Sequence, residues 1–198
     1  MLFRIALLIG KGSRVPAIVS CVSKMSGAEI VIIVSSMGEG VGTKTAQDHG
    51  IEASVLRRGD FKRTPEGLEK FSEAVADMLR KQKVDLIVMA GWRIIMPKSF
   101  VEEFEFQIIN IHPSILPAYP GKGEEAISRQ WQEKAEPCGC TLHFIDEGMD
   151  TGPIILQGFV ERGDCATFQE FEEAIHRKEE EVLCEGIKLI VAQRNSQD

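Results

Sequence analysis

The chain has no long run of lysine or arginine and carries a net charge of -7, which argues against nucleic acid as a steady partner. It also lacks a membrane-length apolar stretch. The amino-terminal run Met1–Ile9 is broken by Gly10 and Gly12, well short of the roughly 20 residues a spanning helix needs, and no cleavage region follows. Cysteine occurs five times, an odd and scattered set (Cys21, Cys138, Cys140, Cys165, Cys184) without zinc-knuckle spacing. Cys138 and Cys140 read instead as small apolar side chains on one face of a strand. None of the four histidines forms a His-x-x-x-His pair, so no metal is expected. Repeats, low-complexity tracts and linkers are missing too. What these absences leave is a cytoplasmic protein without a membrane or nucleic-acid partner, its 43% hydrophobic and 27% charged residues forming a single domain over 1–198.

What is present is an alternation of short apolar runs with longer helical patterns. Phe3–Ile9 reads as a buried strand and Ser13–Met25 as a helix opened by a serine cap. Glu29–Val34 is a β-branched strand, Lys44–His49 a short helix and Ala53–Leu56 a weak strand. Pro65–Gln82 repeats Leu68, Phe71, Val75 and Leu79 at helical spacing behind an initiating proline. Asp85–Met89, Gln107–Ile111, Thr141–Ile145 and Ile154–Val160 read as further strands, Thr167–Gln193 as a closing helix and Arg194–Asp198 as a frayed tail. Continuously apolar strands alternating with helices imply an α/β fold with an open, mostly parallel sheet and helices on both faces.

The chemistry concentrates after Gln107. On a strand, Asn110 and His112 project from the same face, and Pro113 stops the ladder just past the histidine. An imidazole and a carboxamide thus stand together at a strand's carboxyl end, where open α/β sheets place ligands. His112 can carry a proton near neutral pH, and Asn110 can donate to a developing oxyanion. Asp150, in the glycine-rich turn Gly148–Gly152, could support the charged imidazole and take a proton through water, although aspartate there also serves plain turn chemistry. Asp146 and Glu147 read as solvated, His143 as a hydrogen-bonded structural histidine, and His49 and His176 as helix-surface residues. Between the first strand and first helix, Gly10-Lys11-Gly12-Ser13-Arg14 is equally readable as a phosphate-binding turn or a plain tight turn. It is neither a full dinucleotide fingerprint nor a P-loop.

Taken together, Gly10–Ser13, Met89–Met96, Asn110–Pro117 and His143–Ile154 make the chain resemble the phosphoribosylglycinamide formyltransferase family over essentially its whole length. The resemblance implies a Rossmann-like sheet of about seven strands. It implies formyl transfer from 10-formyltetrahydrofolate to the amine of glycinamide ribonucleotide in purine biosynthesis, with small-molecule substrates and a monomer or homodimer. Asn110, His112 and Asp150 would be catalytic, and Gly12, Ser13 and Arg14 would bind the substrate phosphate. Arg63 and Glu179 would reach substrate, and Ile94, Ile95 and Met96, with Asn110, would bind the folate. No metal is implied.

The chain departs from the family pattern in three places. Arg14 stands where asparagine is usual, Arg93 comes one place early, and Gly121–Ala126 replaces a stretch that often carries another histidine. Glu179 lies in the run Glu179-Glu180-Glu181, which also reads as a solvated helix face. The rival readings are a related transferase acting on a sugar-nucleotide amine and a formyltetrahydrofolate hydrolase. The hydrolase would normally carry an amino-terminal regulatory domain, and methionyl-tRNA enzymes of this group a further carboxyl-terminal one. A nicotinamide-dependent dehydrogenase is disfavoured by the incomplete glycine fingerprint and by Ser35-Ser36 where an acidic residue is needed.

Overall fold

The computed structural model describes residues 2–195. Seven strands hydrogen-bond in the order β3-β2-β1-β4-β5-β6-β7, with β1 Phe3–Ile9, β2 Ala28–Ser35, β3 Glu52–Val55, β4 Leu86–Ala90, β5 Ile108–His112, β6 Cys138–Phe144 and β7 Ile154–Val160. The chain separates into two compact units, residues 1–109 and 110–198.

In the first unit, β1 pairs in parallel with β2 and β4, and β2 with β3. Ile5, Leu7, Leu8, Ile9, Ile33 and Ile87 are fully buried, as expected of strands covered on both sides. Helix α1 (Val15–Val22) follows β1, α2 (Val41–Asp48) follows β2 and α3 (Pro65–Gln82) precedes β4. Helix α3 begins where Thr64 accepts the Gly67 amide, a cap worth about 1 kcal/mol. Its apolar stripe buries Phe71, Val75 and Leu79, each worth about 1.5–3 kcal/mol, and Phe71 stacks on Trp92 with ring centroids 5.8 Å apart.

Two expectations shift here. Ser13 does not cap α1, which starts at Val15 with Arg14 as its uncapped boundary residue. Gly12, at φ +79°, turns the chain so that the Val15 amide bonds back to the Gly12 carbonyl, which carries Ser13 round the turn before the helix begins. Helix α4 (Lys98–Glu103) was not expected, being too short to show a period.

In the second unit β6 and β7 are antiparallel, and the long helix α6 (Phe168–Asn195) packs on both. Phe171, Ile175, Leu183 and Ile187 form its buried face. Helix α5 (Gly123–Gln132) also went unforeseen, since it opens on glycine; its signal was Glu124 and Glu125 in the first turn, where the helix dipole favours acids. The expected tail at 194–198 is helical through Asn195, because α6 simply continues; residues 196–198 lie outside the described residues. Cys138 and Cys140 are buried free thiols, and burial pushes the Cys138 thiol's pKa up.

Candidate active site

Strand β5 ends at His112, which is 3% exposed. Past Pro113 the chain turns at once, the Ser114 amide donating to the His112 carbonyl at 2.9 Å. The following loop then folds back over the histidine. Ser114 donates its hydroxyl to the Ala118 carbonyl at 2.6 Å. Tyr119, in the left-handed region at φ +55°, brings its own carbonyl 2.8 Å from His112 Nε2. A carbonyl can only accept, so Nε2 carries the hydrogen. That leaves His112 Nδ1 facing Asp150 Oδ2 at 3.5 Å.

Asp150 also has positive φ (+56°), a conformation that a non-glycine residue keeps only when its surroundings hold it there. Two sets of contacts do so. Asp146 Oδ1 accepts the Gly148 amide at 3.0 Å and the Thr151 hydroxyl at 2.8 Å, building the turn. The Gly121 amide, from the loop that also caps His112, donates to Asp150 Oδ2 at 2.7 Å. Asp146, expected to be solvated, is half-buried and builds the turn.

The cluster gains a member that the sequence had placed among structural histidines. His143 on β6 is fully buried. Its Nε2 lies 3.3 Å from Asn110 Nδ2 and 3.7 Å from Asp150 Oδ1. Its Nδ1 lies 2.8 Å from the Phe144 carbonyl. Burial, outweighing that hydrogen bond and the nearby Asp150 charge, holds the His143 pKa below the ordinary 6.5. The available signal was Thr141 and His143, polar residues two apart on an otherwise apolar strand, the same period that singled out Asn110 and His112. Thr141 faces the loop as well, donating to the Ser114 carbonyl at 2.7 Å and accepting from the Leu116 amide at 3.0 Å. Asn110, His112, Asp150 and His143 therefore cluster within residues 110–198, Asn110 hydrogen-bonded to His143 and both imidazoles beside the Asp150 carboxylate. The cluster has a proton carrier, a carboxylate facing that carrier's free nitrogen and a carboxamide donor, the elements acyl-type transfer requires.

The other predicted residues take different settings. In the first unit, Gly12 is packed so tightly that a Cβ there would come 2.7 Å from the Gly42 Cα. The Gly42 amide bonds to the Lys11 carbonyl at 3.0 Å. Glycine is needed here because backbone meets backbone. Ser13 is exposed and Arg14 half-buried at the amino end of α1. Arg63 is exposed in the loop before α3. Ile94, Ile95 and Met96 run without regular structure after β4, Ile95 being 72% exposed and Met96 buried. In the second unit Glu179 is buried rather than on a solvated face, and it pairs with His176 Nδ1 at 2.7 Å. Among the described residues no group of three or more His, Cys, Asp or Glu is placed to hold a metal, and no helix is long and apolar enough to cross a membrane.

Comparison with known proteins agrees with this geometry. The family model described as "Formyl transferase" matches residues 3–187. A phosphoribosylglycinamide formyltransferase of Bacillus subtilis is 33% identical over 73% of this chain and 77% of its own. One of Dictyostelium discoideum is 31% identical over 96% and 98%. The chain also matches the trifunctional purine biosynthetic protein adenosine-3 of Drosophila melanogaster at 35% identity, spanning 12% of that protein's length. A crystal structure of the Anaplasma phagocytophilum phosphoribosylglycinamide formyltransferase superposes with a TM-score of 0.85 at 31% identity, covering 96% of this chain and 87% of that one. With the family match running from β1 into α6, the chain belongs to the formyl transferase family.

Proposed function

We infer that the chain transfers a formyl group from 10-formyltetrahydrofolate to the amine of glycinamide ribonucleotide, both units working as one functional domain. The observation that carries this reading is the clustering of Asn110, His112, His143 and Asp150, with Asn110 and His143 3.3 Å apart and the two imidazoles 3.5 and 3.7 Å from the Asp150 carboxylate. The substrate amine attacks the formyl carbon, and the carbon–N10 bond then breaks. The amine loses a proton and the folate N10 gains one. Asn110 supports the transient oxyanion with an amide N–H, a contribution of roughly 10²–10³ in rate where such donors have been removed elsewhere. His112 Nδ1, facing Asp150 at 3.5 Å, is the atom at which a proton is held in transit. Asp150 stabilises the imidazolium so formed. No covalent nucleophile is needed.

For substrate binding, the Gly12 turn and the start of α1 offer an anion the amino end of a helix. Ser13 adds a hydroxyl, and Arg14 a guanidinium suited to a charge-assisted fork on phosphate. The apolar Ile94–Met96 segment, outside regular structure with Ile95 exposed and Met96 buried, offers apolar surface to a flat pterin. In the second unit Glu179 is paired with His176, and in the first Arg63 is exposed; each is a further residue proposed to contact substrate.

The test is absorbance-monitored turnover of 10-formyltetrahydrofolate with glycinamide ribonucleotide, with a sugar-nucleotide amine, and with no amine. Turnover that requires glycinamide ribonucleotide supports the reading. Turnover only with the sugar amine overturns the substrate, and loss of the formyl group without any amine replaces transfer by hydrolysis.

A further inference from the structure

Two groups stand within reach of His143 Nε2, one that can only donate to it and one that can only accept from it. Asn110 Nδ2 stands 3.3 Å from it and Asp150 Oδ1 3.7 Å, and which of the two it serves depends on the ring's protonation. The Phe144 carbonyl, 2.8 Å from Nδ1, accepts only and so keeps the hydrogen on that nitrogen. In the neutral ring Nε2 is then an acceptor. It can bond the Asn110 amide but not the carboxylate.

We propose that His143 is a positioning residue for Asn110. The Nδ1–H tautomer holds the carboxamide with its nitrogen toward β6, so that the second amide N–H is left for the reacting oxyanion. A flipped carboxamide would turn its oxygen onto the Nε2 lone pair, an acceptor against an acceptor. Neutral His143 therefore selects one of two amide orientations that are otherwise nearly equal in shape. Protonation reverses the arrangement. Nε2 becomes a donor, turns to Asp150 Oδ1, releases Asn110 and draws the carboxylate away from His112. The ionisable groups acting on the ring are Asp150, His112 and Asp146. Complete burial of the side chain opposes that protonation. The proposal rests on the formyl-transfer reading for the identity of the oxyanion; the hydrogen-bond relay stands on geometry alone.

Two variants and one spectrum test it. Glutamine offers an amide oxygen close to where Nε2 sits, whereas leucine offers none. His143→Leu is expected to lower kcat by about tenfold or more while KM values stay within about twofold, the pattern of a lost transition-state contact. His143→Gln should recover most of that loss and flatten the acid limb of the kcat–pH profile, because its acceptor does not titrate. A His143→Leu enzyme with wild-type kcat overturns the proposal, and so does a His143→Gln enzyme as impaired as His143→Leu with an unchanged acid limb. Imidazole proton–nitrogen correlation spectra of the unliganded wild-type protein should show His143 near neutral pH as the Nδ1–H tautomer with Nε2 bare. An Nε2–H tautomer or an imidazolium there sinks the relay. The spectrum needs no substrate, so a protein silent in the formyl-transfer assay overturns the function while leaving the relay decided.

Discussion

Two loops that follow strands, Gly10–Arg14 after β1 and Pro113–Gly121 after β5, are held by opposite means. The first is fixed by backbone against backbone: Gly12 lies against Gly42, and the Lys11 carbonyl takes the Gly42 amide. The second is fixed by hydrogen bonds to the ionisable groups themselves. The Tyr119 carbonyl holds His112, and the Gly121 amide holds Asp150. If the first loop holds the substrate phosphate, as proposed, a rigid backbone suffices and a neighbour such as Arg14 would tune its specificity. A proton-transfer site needs each hydrogen assigned to one atom, so it is built from partners that can only donate or only accept. The comparison predicts that damage at the second loop appears in turnover and damage at the first in binding and stability.

The largest effect belongs to Asp150. Asp150→Asn keeps a residue that tolerates positive φ and removes the charge, so turnover should fall by about 10²–10⁴ with the unfolding midpoint little changed; single-turnover kinetics alongside thermal unfolding would check both. Next comes Asn110→Ala, expected to lower kcat by about 10²–10³ with substrate KM nearly unchanged. A rise in KM with kcat intact would place Asn110 in uniform binding and erase the contrast between the loops. Gly12→Ala should cost about 1–3 kcal/mol of stability, since its φ is +79° and the new Cβ would meet the Gly42 Cα at 2.7 Å. Denaturant unfolding reads that cost, and phosphate affinity should weaken with it. The smallest effect is in pH. Burial holds the His143 pKa below 6.5, so the fold prefers the neutral ring more than the unfolded chain does. The stability this contributes is present above that value and is lost as the pH falls through the folded-state pKa. Unfolding midpoints of the wild type and His143→Gln should therefore draw together toward acid pH.

How much of this was legible in the sequence follows from the same contrast. Strand β1 and helix α3 were bounded correctly because continuous burial and a helical period are local signals. Asn110 and His112 were legible from period two plus a following proline, and Asp150 from its glycine-rich turn together with the family resemblance. The start of α1 was misplaced because Gly12's positive φ is set by contact with Gly42, some thirty residues on, which no local pattern reports. His143 was expected to be hydrogen-bonded and is, but its partners could not be named from the sequence: they come from β5 and from the turn after β6, and only the folded chain puts one ring nitrogen within reach of both. The burial of Glu179 was hidden in the same way, inside a run of three glutamates.

If the cluster around His112 performs the chemistry, the decisive variant is His112→Ala under single-turnover conditions with saturating 10-formyltetrahydrofolate and glycinamide ribonucleotide. The rate of formyl transfer should then fall by at least about 100-fold, with the protein folded and both substrates still bound. Near-normal transfer by a folded His112→Ala protein would contradict it.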